Sequence, residues 1–244
     1  MAPCGQYFSE IFERSLLKSG GVVMAKPNVA VILSGCGVYD GAEIHESVLS
    51  LLALNRQGAD YQCFAPDIKQ HHVINHLTGD EMDDSRNVLI ESARIARGNI
   101  KPLTEFDAGL FDALLLPGGF GVAKNLSSLA FEGAECSVNQ ELSHAVSAMV
   151  KAEKPIGALC IAPAVIAKIL SGAKVTIGED QGTIGAIEAM GGVHQQTTHG
   201  EIVIDEKLKL ITTPCYMLDA SVSQIAEGTD NCVRALLEMV TAGN

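Results

Sequence analysis

Three short apolar runs, each closed by small residues, restrict the fold of this chain more than anything else in it. They are Asn28 to Leu33 (NVAVIL) before Ser34-Gly35-Cys36-Gly37, the run within Phe111 to Gly121 (FDALLLPGGFG) that Pro117 breaks and Gly118 and Gly119 follow, and Ile156 to Leu159 (IGAL) before Cys160. Unbroken apolar runs of this length read as strands buried on both faces. Between them the spacing turns helical, with Val48, Leu49, Leu51, Leu52 and Leu54 in one segment and Leu142, Ala145, Val146 and Met149 in another. Strands alternating with helices imply a mostly parallel sheet covered on both sides, which binds ligands beyond the carboxyl ends of its strands. The three small-residue loops therefore share one rim.

The last run gives way at Cys160 to helical spacing through Val165, Ile166, Ile169 and Leu170. Pro163 suits the first turn of that helix, where its missing N–H has no partner to lose. Cys160 thus falls on a sharp strand-to-helix turn. Unpaired amides and the helix dipole there favour thiolate, although a cysteine at such a position also serves as a small buried hydrophobe. Glu43 and Glu46 stand at the start of the helix after the first run; they are either catalytic carboxylates or acids placed favourably at a helix N-terminus. Gly118 and Gly119 either aim backbone N–H groups at a ligand oxygen or make a plain tight turn. Nucleophile, acid/base and amide donors on one rim make a catalytic set, and their convergence favours the reactive reading of Cys160.

The rest of the chain fits the same alternation. Residues 60–65 form a strand closed by Pro66, residues 67–86 are polar and irregular, and residues 87–96 and 139–152 are helical. A strand at 174–177 and a short helix carrying Ile184, Ile187 and Met190 follow. A hairpin of 201–205 with 208–212 and a closing helix over 222–240 complete the chain. His71, His72 and His76 invite a metal reading, but Val73 and Ile74 suit extended structure, and no cysteine or paired carboxylate shares their spacing. No metal and no cofactor is expected.

With 47% hydrophobic and 19% charged residues in 244, the chain has ample material for a core and no internal linker. A formal charge of −12 repels phosphate backbones and anionic membrane surfaces, so neither nucleic acid nor membrane is an expected partner. No apolar run approaches the ~18 residues that cross a bilayer. Seven scattered cysteines without a C-x-x-C pair give neither a disulfide framework nor a zinc site, and fit a reducing, cytoplasmic compartment. Residues 1–26 stand apart as an extension, with Phe8, Ile11, Phe12, Leu16 and Leu17 at helical spacing and a second methionine at Met24. They are a native arm, a targeting segment or the product of an upstream start. Glu10 and Glu13 against Arg14 and Lys18 weigh against targeting, and a mitochondrial location follows only if the segment is one.

Read together, VILSGCGVYDGAEIHES, LLLPGGFGVAKNLS, PIGALCIAPAVIA and GEIVIDEKLKLITTPCYM resemble the DJ-1/PfpI superfamily of class I glutamine amidotransferase-like domains, nearest its ElbB branch. The resemblance spans about residues 27–241. It implies a flavodoxin-like three-layer sandwich over 27–244, with a mostly parallel sheet, a nucleophile elbow and a small β-hairpin. It also implies that Glu46, with Glu43 in reserve, hydrogen-bonds Cys160, and that Gly119 and the amide of Ile161 hold an oxyanion. His199 would be the nearby histidine, and the protein a homodimer. Ile161 stands where PfpI-type members carry histidine, and Pro214-Cys215-Tyr216 where glutamine amidotransferases carry His and Glu, so peptidase and glutaminase chemistry are not implied. What is implied is glyoxalase III-like chemistry on a small aldehyde, without glutathione; the alternative is a non-catalytic relative acting through oxidation of Cys160 or partner binding.

Overall fold

The computed structural model describes residues 26–242, and the extension reading of residues 1–26 lies, but for Lys26, outside them. Strand β1 (Asn28–Ile32) pairs in parallel with β2 (Asp60–Ala65) on one side and β4 (Ala113–Leu116) on the other. The short β3 (Ile100–Pro102) extends the sheet beyond β2. On the far side β4 pairs with β5 (Ile156–Leu159), β5 with β9 (Leu210–Thr213), and β8 (Val203–Asp205) returns antiparallel along β9. The seven-stranded order is β3-β2-β1-β4-β5-β9-β8. The expected hairpin is thus the sheet's own edge.

Every residue of β4 and β5 is buried, and alternate side chains of β1 serve opposite cores. Ala30 and Ile32 pack with Leu142, Val146 and Met149 of α5 (Gln140–Lys151) and with Val165 and Ile166 of α6 (Ala162–Ile169). Val29 and Val31 pack with Ala53 and Leu54 of α1 (Ile44–Arg56) and with Ile225, Val233 and Leu236 of α8 (Val222–Ala242). The period of two within the strand supplies both layers. Helix α2 (Val88–Ile95) starts at Asn87, whose side chain accepts from the Ile90 amide; α3 (Phe120–Lys124) and α4 (Leu129–Glu132) are short; α7 (Gln181–Ala189) is capped by Asp180.

The strand expected over 174–177 shortens to β6 (Lys174–Val175). It pairs with β7 (Val193–His194) in a separate two-stranded sheet, because Thr176 turns away to hydrogen-bond Thr197 and Thr212. The three histidines diverge: His71 and His72 meet the Phe131 ring, whereas His76 faces Tyr39 and Asp40. Among the described residues no helix is long and apolar enough to cross a membrane.

Candidate active site

Order reverses between β1 and β4, where one loop runs back toward β2 and the other toward β5, so a crevice opens at their carboxyl ends. The β1–α1 loop lies on the loop after β4: the Glu43 amide donates to Gly118 O at 2.9 Å, and the Phe120 and Gly121 amides donate back to Val38 O and Gly41 O, each at 2.8 Å. The two loops form one surface. Cys160 follows β5 immediately, its amide continuing the ladder to Thr213 O at 3.0 Å. Its φ of +60° is a left-handed conformation that a side chain disfavours, as expected of a nucleophile elbow. Pro163 occupies the first turn of α6 behind it.

Glu46 is fully buried and shares a hydrogen bond with the Cys160 sulfur. Its two oxygens are held from opposite sides, Oε2 by the Gly118 amide at 3.0 Å and Oε1 by the Tyr216 amide at 3.2 Å. Burial, and then the neighbouring Glu43 charge, push the Glu46 carboxyl up to about 7, against the pull of those hydrogen bonds. Glu43 has a different task. Its Oε2 accepts from the Glu46 amide at 2.7 Å, so it caps α1, an uncommon role for glutamate, and fixes the turn that carries Glu46. Of the two acids at this helix start, Glu43 takes the capping role and Glu46 is the one beside Cys160.

Gly118 lies where nucleophile and carboxyl meet. A methyl group there would fall 2.4 Å from Cys160 Cβ, 2.8 Å from Glu46 Oε2 and 2.9 Å from Cys160 Sγ. Gly119 has φ +99°, and its amide, with that of Ile161, hydrogen-bonds the sulfur. These donors favour thiolate, but burial and the Glu46 charge outweigh them and raise the Cys160 pKa well above the ordinary thiol range. The shift runs opposite to the one that the helix N-terminus alone favours. His199 turns elsewhere. Its Nε2 lies 2.9 Å from Asp219 O, and it does not line the cavity over Cys160.

That cavity, about 290 Å³, is lined by Gly119, Phe120, Ile161, Tyr216 and Met217 together with Val38, Asp180 and Thr183. Tyr216 was not legible as a site residue. Its amide holds Glu46, its ring lines the cavity, and its hydroxyl lies 2.8 Å from His45 Nδ1. The signal available was its place just after a strand end on the same rim. The arrangement can add a thiol to an electrophilic carbon, take up the thiol proton and hold an oxyanion with two amides.

No family model matches the chain. The human protein named glutamine amidotransferase-like class 1 domain-containing protein 3, mitochondrial, is 47% identical over 221 residues, covering 86% of this chain and 82% of its own. An isoprenoid biosynthesis protein with an amidotransferase-like domain from Ehrlichia chaffeensis superposes with TM-score 0.82 at 38% identity, over 87% of this chain and 99% of that one. Drosophila melanogaster DJ-1beta (TM-score 0.52, 18% identity, 89% and 95% covered) and glyoxalase III of Candida albicans (0.56, 14%, 86% and 97%) share the fold.

Proposed function

This chain belongs to the glutamine amidotransferase-like class 1 proteins of the DJ-1/PfpI superfamily, and from that membership we propose that it is a glutathione-independent, glyoxalase III-like lyase. It converts glyoxal or a related small 2-oxoaldehyde to the hydroxy acid. The observation that carries this reading is the buried Glu46 carboxyl, raised to about 7 and hydrogen-bonded to Cys160. A base titrating near neutrality is suited to moving protons at neutral pH. The superfamily's glyoxalase III member lends further support through its fold.

Sγ of Cys160 attacks the aldehyde carbon while Glu46 takes the thiol proton. The carbonyl electron pair moves onto oxygen, which the Gly119 and Ile161 amides stabilise, and Glu46 protonates that oxygen to give the hemithioacetal. Glu46 next removes the carbon-bound proton and delivers it to the neighbouring carbonyl oxygen, forming an enediol; it then takes the hydroxyl proton from the first oxygen and delivers it to the second carbon. The aldehyde carbon is thereby oxidised to a thioester and its neighbour reduced to an alcohol, with no outside oxidant. Water cleaves the C–S bond, the hydroxy acid leaves and the thiol is restored. Gly118 leaves room for the pair, and neither metal nor cofactor is invoked.

The oxidation-sensor alternative draws on the same thiol; what favours the enzyme is the buried Glu46 carboxyl beside it, a group suited to proton transfer. The human relative is named mitochondrial, which supports that compartment over the cytoplasm. A homodimer belongs to the same proposal. The test is Glu46→Gln. The rate constant kcat/KM for glyoxal should fall roughly 10²–10⁴-fold. In the wild type it should rise with pH through about 7, because protonated Glu46 cannot accept the thiol proton. Undiminished turnover, or the same rising limb in the variant, would overturn the role.

A further inference from the structure

A second cavity, about 250 Å³, adjoins the one over Cys160. The two share three walls, Phe120, Ile161 and Thr183. Beyond them the second space is bounded by Ala123 of α3, Leu129 and Ala130 of α4, and Gly182 and Ala186 of α7. Gly182 and Ala186 are four residues apart, so they occupy one face of α7, while Ile187 faces the core. Small residues on that face leave a gap between helices that larger ones would close. The Thr183 hydroxyl donates to Asp180 Oδ1 at 2.7 Å, so it brings no unpaired polar group to the wall. Among the described residues no lysine, arginine or histidine lines either cavity. Lys124, whose Nζ lies 5.2 Å from the Phe120 ring centroid, is outside the lining and donates to Tyr39 O.

Small-molecule sites occupy about 300–1,000 Å³. The reaction cavity alone is just under that range, and the two adjoining cavities taken together fall within it. Glyoxal needs no such annex.

We propose that the annex between α3–α4 and α7 receives the apolar substituent of the substrate, and that the preferred substrates are neutral 2-oxoaldehydes bearing a chain of several carbons. The proposal rests on the glyoxalase reading for the chemistry and, for the specificity, on the three walls that the two adjoining cavities share. The reacting carbonyl sits at Cys160, and the chain passes Ile161 and Phe120 into the annex. Each buried methylene is worth about fourfold in affinity.

Straight-chain alkylglyoxals from methyl to pentyl test this, since lengthening the chain changes carbonyl reactivity little. The wild-type kcat/KM should rise at least tenfold across the series. Ala186→Phe and, independently, Ala130→Phe, each checked for folding by thermal melting, should reduce the pentyl-to-methyl ratio to near one. A flat wild-type series, or a gradient that survives both substitutions, overturns the proposal. A parallel series of N-alkylmaleimides, with Cys160 adduct formation followed by peptide mass and normalised to a small reference thiol, needs no turnover. There too the rate should climb with chain length, and less steeply in the two variants. If no alkylglyoxal is turned over, the glyoxalase reading fails by itself and the maleimide gradient decides the annex: its presence supports the annex, its absence overturns it.

Discussion

Glu46 keeps its proton in the folded chain up to about pH 7, against an ordinary 4.5, because its carboxyl is fully buried beside Glu43. The sign of the linkage follows. Below about 4.5 both folded and unfolded chains are protonated there and stability is complete; between 4.5 and 7 only the unfolded chain ionises, so stability falls as pH rises. At 1.36 kcal/mol per unit this amounts to about 3 kcal/mol. Denaturant unfolding of wild type and Glu46→Gln at pH 5 and pH 8 measures it: the wild type should lose more stability over that interval than the variant, and parallel losses would contradict the buried acid. The elbow cysteine was legible because Pro163 and the change of period fix its place. Spacing alone did not single out the partner carboxyl, since Glu43 and Glu46 share one helical turn; the family resemblance put Glu46 first, and the backbone makes Glu43 the cap and Glu46 the neighbour of sulfur. The upward push on the cysteine's pKa was not legible for a related reason: the helix N-terminus is visible in sequence, whereas burial beside a carboxyl is not.

Elements position the site through contacts too close for side chains. Gly118→Ala should destabilise the fold by on the order of 1–3 kcal/mol and abolish turnover, because its new methyl group would lie 2.4 Å from Cys160 Cβ, which the backbone holds in place. Gly185→Ala in α7 meets nothing within 4 Å and should be neutral or stabilise by up to about 1 kcal/mol. Thermal melts of the two variants check this contrast. The central strands and long helices could be read from periodicity because burial on two faces dictates it. Strands β3 and β7 could not. Three residues ending in Pro102, and two residues after Gly191-Gly192, are too short to show a period, and pairing with a neighbour alone defines them.

For the molecule as a whole, the mostly parallel sheet and the shared rim of its loops follow from alternation of strands and helices, and that much was legible; the order that opens a crevice between β1 and β4 was not. The walls of the crevice come from segments far apart in sequence, Val38, Phe120, Thr183 and Met217 among them, and no local pattern announces their meeting. Ile44, Val48 and Leu52 stand exposed at four-residue intervals along α1, and this apolar face is where the proposed homodimer would bury surface. Sedimentation at micromolar concentration should find a dimer that Val48→Asp converts to monomer; a monomeric wild type would remove the dimer from the proposal. The chemistry itself is tested most directly by following glycolate formation from glyoxal by NMR with wild type and Cys160→Ser at equal concentration. Steady formation by the wild type and none above the buffer rate by the variant is the predicted result. Equal rates in the two, or none in either, would contradict a thiol-based enzyme.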